Sequence, residues 1–280
     1  MDPGALLSNK KNLPATFKMG RIVANKAGSI EHSIYENAKG SGVSEFDLAC
    51  YSFALAQALY NQSYQCGNTD INSGNQRVTA NMGGYEGHIF VTRNDLCRYA
   101  FGVGNPSFKE RKKMDHITNV VHSMPVKIKM RGRANEVPLC SQKGPAITDK
   151  GAVAYHLVIH PIFCQNVKNN FAELPQDIML RLSLAVRRKT TAHIRMLRLL
   201  ACQDKSKPLT RTIKAIVEYL GLAEAYKINK QRTIKQIKNC LDVMKEIGML
   251  SSYLSEEDNI TCNFNDNFLR KNTHENKEEG

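Results

Sequence analysis

Apolar residues recur at helical spacing along most of this chain and alternate with polar ones only in short runs. A helix is predicted from near Ser44, where Phe46, Leu48, Ala49, Phe53, Ala56 and Leu59 make one broad apolar face. Ile89-Phe90-Val91 then reads as a brief strand. Thr92 and Asp95 start a short helix that buries Leu96, Cys97, Tyr99 and Ala100 and stops at Gly102-Val103. Ser107 and Glu110 form a capping box for a second helix, from about Ser107 to Met124, with its stripe at Ile117, Val120, Val121 and Met124. Val126 to Met130 alternates apolar residues with lysine, as a half-exposed strand does. Arg131 to Lys150 is polar, with Gly132, Pro138, Gly144 and Pro145, and Val153 to Phe163 is a second, apolar strand. Strand, long polar connection and strand together describe a wing.

The order then repeats. Leu174 to Val186 is predicted helical, with Pro175 in its first turn. Thr190 to Cys202 is another helix, with Ile194, Met196, Leu197, Leu199 and Leu200 inward. Thr210 starts a helix that ends at Gly221-Leu222. A basic amphipathic helix follows from about Asn229 to Ile247, burying Ile234, Ile237, Leu241, Met244 and Ile247. A strand-rich hairpin runs from Leu250 to Phe264. Short helix, glycine, basic helix and strands is the order of a winged helix-turn-helix. The expected fold is mainly α with small β wings (α+β), in two tandem winged helix-turn-helix domains.

The length of 280 residues accommodates two such domains. The expected division is a flexible basic segment at 1–42, a first domain at 43–165, a helical connection at 166–189, a second domain at 190–264 and a disordered tail at 265–280. No run approaches the roughly 20 apolar residues of a membrane-spanning helix, and residues 1–18 lack the apolar centre of a secretory signal. The eight cysteines have no knuckle or redox spacing, and several fall on apolar faces, as expected of reduced thiols in a cytosolic protein.

Charge sharpens the picture. The formal net charge is +13, a field that attracts phosphate or acidic headgroups. A reading helix in a DNA major groove carries Arg, Lys, Asn and Gln near its N-terminus and away from the core. The first basic helix offers Lys109, Arg111, Lys112 and Lys113, diluted by Glu110 and Asp115. The second offers Lys230, Gln231, Arg232, Lys235, Lys238 and Asn239, with no acid before Asp242. Arg93 stands at the start of the first short helix. Lys127 and Lys129, with Arg131 and Arg133, would line one wing. Arg187 and Arg188, with Lys189, either cross a phosphate chain or form a solvated helix end. The competing reading of every one of these is an ordinary solvated face, which usually mixes signs. The acidic tip Glu256-Glu257-Asp258 argues against backbone contact by the second wing.

Other chemistry finds less support. His156 and His160 lie on one face of a strand, but neither the paired-histidine spacing of a nickase nor a zincin arrangement is present. Gly83-Gly84-Tyr85-Glu86-Gly87 lacks the Gly-Lys-Ser/Thr ending of a phosphate loop. Tyr85, Tyr99 and Tyr155 read as packing residues. No catalytic residue, metal or cofactor is expected.

The segments Ile89 to Leu96, Tyr99 to Val103 and Ile237 to Leu250 resemble the Rep-type plasmid replication initiators, as scattered short matches over roughly residues 44–260. The resemblance implies sequence-specific binding of double-stranded DNA at plasmid origin repeats, in replication initiation or maintenance in an intracellular bacterium. It implies a non-enzymatic protein at the plasmid or nucleoid, with host replication proteins and a second copy of the chain, as a homodimer, as further partners. A transcriptional or copy-number regulator is the alternative on the same scaffold. A DNA-nicking replication enzyme and a protein-interaction scaffold are the others.

Overall fold

The computed structural model describes residues 15–20, 41–65, 87–122, 125–130, 133–138, 140–147, 153–159 and 171–269. Strand β1 (Thr16–Gly20) precedes helix α1 (Glu45–Gln65), whose first turn is capped by Ser44 Oγ accepting the Asp47 amide at 3.1 Å. Then come β2 (Gly87–Thr92), α2 (Arg93–Phe101) and α3 (Phe108–His122), followed by β3 (Pro125–Met130), β4 (Arg133–Pro138), β5 (Cys140–Ile147) and β6 (Val153–Ile159). Next are β7 (Phe171–Pro175), α4 (Ile178–Ala185) and α5 (Thr191–Ala201). The chain continues through β8 (Leu209–Thr212), α6 (Ile213–Leu220), α7 (Ala223–Ile228) and α8 (Lys230–Glu246), and closes with β9 (Leu250–Glu256) and β10 (Asn259–Phe264). The fold is mainly helical with small antiparallel sheets.

One order of elements occurs twice. Helix, strand, helix, helix, strand, strand describes α1, β2, α2, α3, β5 and β6, and equally α5, β8, α6, α8, β9 and β10. In each set the last strand lies in the middle of an antiparallel sheet, giving β2-β6-β5 and β8-β10-β9. The first set carries the inserted β3–β4 hairpin; the second carries α7. The ends of the two short helices agree closely. Thr92 (φ −68°, ψ 148°) and Thr212 (φ −68°, ψ 146°) each accept the amide three residues on, satisfying one of the orphan donors of a helix start. Gly102 (φ 65°) and Gly221 (φ 70°) close the helices in the left-handed region, where a side chain is costly.

The core is one contiguous buried cluster that runs through both sets. Its centre is α5, where Ile194, Met196, Leu197 and Leu200 are almost wholly sequestered. Burial of each such side chain contributes about 1.5–3 kcal/mol, so α5 is pinned on several sides, packing against α1, α6, α8 and β7. Nearly every side of α5 is covered, and its buried residues include the polar His193 and Arg198 as well as the apolar ones.

Several expectations change. The polar stretch after Met130 is not one wing loop: it holds β4 and β5. Strand β3 pairs with β4, whereas β6 pairs with β2 and β5. Pro138 ends β4, and Gly144 and Pro145 fall within β5, where the register shifts between Gln142 and Pro145, while Gly132 lies outside the described residues. Pro175 does not sit in a helical first turn. It ends β7, opposite Thr16 at the far end of β1, a terminal position where a missing N–H is tolerated. The connection at 166–189 is therefore part strand, and α4 starts only at Ile178. Segment 1–42 is not wholly irregular, since β1 pairs along β7 and Phe17 is fully buried. The expected tail begins too early: Phe268 is in the core, and Asn265 donates to the Met249 carbonyl at 3.1 Å. Residues 209–212 are strand rather than helix, and α7 separates α6 from α8. His160, Arg131, Gly83 to Glu86 and residues 270–280 lie outside the described residues.

Candidate nucleic-acid interface

The two basic helices are α3 and α8, and local hydrogen bonds fix where each begins. Ser107 Oγ accepts the Glu110 amide at 3.3 Å while Glu110 Oε2 accepts the Ser107 amide at 2.6 Å, both bonds of a capping box. Asn229 Oδ1 accepts the Arg232 amide at 2.9 Å, and Thr233 Oγ1 donates to the Asn229 carbonyl at 3.0 Å. Apolar stripes set which way each helix faces. Met114, Ile117 and Val121 are buried in α3; Ile237, Cys240, Leu241 and Met244 are buried in α8. The polar residues between them are turned outward by the helical period.

On α8 the outward set survives almost intact. Lys230, Gln231, Arg232, Lys235 and Asn239 are exposed, and Lys238 is half-buried. Gln231, Lys235 and Asn239 follow one another at four-residue intervals on one strip. Lys230 has an acidic neighbour at the wing tip, with Nζ 3.9 Å from Asp258 and 5.9 Å from the Tyr226 ring centre. At that separation, with both groups solvated, the pair is weak. Asp242, the first acid of the helix, accepts the Tyr253 hydroxyl at 2.8 Å. The carboxylate is thereby tied to β9.

On α3 the charges divide. Lys109 and Lys112 are exposed. Arg111 folds back and donates to the Pro106 carbonyl at 2.7 Å. Lys113 leaves the outward set: its ammonium lies 2.6 Å from Asp47 on α1 and 5.5 Å from the Phe101 ring centre. Arg93 is likewise committed, donating from Nη1 to Asp115 at 3.0 Å. Asp115 also accepts the Tyr155 hydroxyl. Burial first, and that hydrogen bond second, push the Tyr155 phenol well above its ordinary range.

Lys127 and Lys129 stand on β3, in register with Glu136 and Ala134 of β4. Arg187 and Arg188 are exposed between α4 and α5. Lys189 beside them turns inward and donates to the Phe101 carbonyl and, at 2.7 Å, to Ser183 Oγ. It thus caps the end of α2, and burial draws its pKa down. Among the described residues, the structure therefore brings the α8 residues together with no competing partner for most of them, keeps Lys109 and Lys112 exposed on α3, and ties Arg93, Arg111 and Lys113 to neighbours within the fold.

Sequence reasoning missed the cations of the second sheet. Arg211 on β8 and Lys214 at the start of α6 are exposed. Arg211 lies opposite the buried Ile260 in the sheet register, so alternation along the strand would have turned it inward, and its exposure was not legible in the sequence. Among the described residues, no group of His, Cys, Asp and Glu is arranged to hold a metal ion, and no helix is long and apolar enough to cross a membrane. Comparison with protein-family models, with curated proteins and with solved structures returned no match to this chain.

Proposed function

We propose that this chain is a sequence-specific double-stranded DNA-binding protein built from two tandem winged helix-turn-helix units, with α3 and α8 as the reading helices. The observation that carries the reading is the recurrence of one strand and helix order, ending each time in a sheet whose last strand is central. In both sets the second helix of the pair presents lysines outward, and α8 adds Gln231, Arg232 and Asn239. Phosphates would be met by the ammonium and guanidinium groups, and base edges by the bidentate amides and by Arg232. The inserted hairpin and α7 are departures between the copies that leave the strand order unchanged.

Action in plasmid replication initiation or maintenance rests on the resemblance of Ile89 to Leu96, Tyr99 to Val103 and Ile237 to Leu250 to the Rep-type initiators. The test is selection of bound fragments from random duplex DNA, followed by comparison with the replicon that carries this gene. Enrichment of a repeated motif from that replicon's origin is the expected result. Binding with no sequence preference, or no binding at low salt, would remove the reading.

A further inference from the structure

Two arginines on the central helix link the two repeats. Arg195 forms an ion pair with Glu45 at the start of α1. The same guanidinium lies where a Cβ on Gly221 would stand, so it also covers the turn that ends α6. One turn along, Arg198 is 4% exposed. Its Nη2 donates to Ser52 Oγ of α1 at 2.5 Å and its guanidinium carbon sits 5.0 Å from the Phe53 ring centre. Thus α1, which packs against α2 and α3, meets α5, which packs against α6 and α8.

A second route joins the same parts. The turn at Gly102 is closed over α4, since a Cβ there would overlap the Met179 carbonyl and Ser183 Oγ. Lys189 hydrogen-bonds both Ser183 and the Phe101 carbonyl that ends α2. Helix α4 in turn touches α8. Each helix-turn-helix turn is therefore seated on an element that also reaches the other repeat.

We infer that Arg195 and Arg198 are positioning residues that hold α3 and α8 at one separation and one rotation, so that the chain accepts two half-sites at a single spacing. The inference rests on the DNA-binding reading above. An apolar seam of leucines would permit small slips at little cost, because dispersion contacts are not directional. A guanidinium hydrogen-bonded and ion-paired across the seam has a fixed fork geometry and defines the register. Removing one partner of an ion pair is costly where the charge left behind is buried; Glu45, 41% exposed, stays solvated once Arg195 is removed, so register is separable from folding.

The probe is a duplex recovered by selection on the full chain, carrying both half-sites, with one to five base pairs inserted between them. Each insertion rotates one half-site by roughly 34° relative to the other. For the wild type, one or two inserted pairs should reduce affinity by about 100-fold, to that of a duplex with one half-site, since avidity is lost when geometry forbids joint engagement. In the Arg195→Met and Arg198→Met double variant the loss should shrink to within about threefold, with single half-site affinity unchanged. Glu45→Gln, at a partly exposed position outside the core, should give an intermediate profile and guards against misfolding of the double variant. A wild type indifferent to spacing, or a selected site with one half only, overturns the inference while leaving DNA binding intact. So does a pair of variants with the wild-type spacing profile. Failure of the wild type to bind any duplex overturns both readings.

Discussion

Neutralising Arg232 and Lys235 together gives the sharpest test of the α8 face. Both side chains are exposed, and among the described residues neither is ion-paired. A cation that meets a phosphate releases about 0.9 counterion, so each one adds about 0.9 to the slope of log affinity against log salt. Arg232→Gln with Lys235→Gln should therefore flatten the slope by about 1.8. Over a fourfold rise in salt, from about 50 to 200 mM, the variant's affinity should fall about twelvefold less than the wild type's. Lys113→Gln is the internal control. Its ammonium is engaged by Asp47, 2.6 Å away, and stacked on Phe101. It should cost stability and leave the slope unchanged. Fluorescence anisotropy on the selected duplex at five or six salt concentrations measures all three slopes. An unchanged slope in the double variant would remove α8 from the phosphate-contacting surface. A decrease of about 0.9 for Lys113→Gln would show that the lysine leaves Asp47 for DNA.

The fold itself makes further predictions. Gly221→Ala should lower stability by about 1–2 kcal/mol, the cost of a Cβ in the left-handed region, and Gly102→Ala should cost more. At Gly102 the Cβ meets the Met179 backbone, whereas at Gly221 it meets the end of the flexible Arg195 side chain; urea unfolding of the two variants gives the comparison. Burial holds the His193 imidazole below its ordinary range, and Nδ1 accepts the Thr190 amide at 3.2 Å. The unfolded chain then binds the proton more readily, so stability is full above the ordinary histidine pKa of about 6.5 and declines as pH falls through it. His193→Gln should flatten that part of the stability–pH curve, and a curve with the same slope would refute the assignment. Phe268→Ala should destabilise by about 3 kcal/mol, as for a buried phenylalanine elsewhere, and an unchanged urea midpoint would place residues 265–269 outside the core.

What the amino-acid order determined by itself is local. Thr92, Ser107 and Asn229 announce helix starts because a cap is a hydrogen bond to an amide three residues away, whereas Thr212 rather than Thr210 caps α6 once Leu209 to Thr212 pair as strand. Gly102 and Gly221 announce helix ends because only glycine adopts the left-handed region cheaply. The outward cations of α8 were legible because the helical period alone turns them from Ile237, Leu241 and Met244. Tertiary structure decided the rest, wherever the partner is far along the chain. Pro175 is strand rather than helix because its neighbours pair with Thr16 to Gly20, more than 150 residues earlier. The stretch after Met130 divides into two sheets because β6 had β2 as well as β5 to pair with. Lys113 and Lys112 are indistinguishable as letters, yet one lies on Asp47 and the other in solvent. That difference depends on where α1 packs. A charge's identity is written in the chain, but its availability depends on which carboxylates folding brings within a few ångströms.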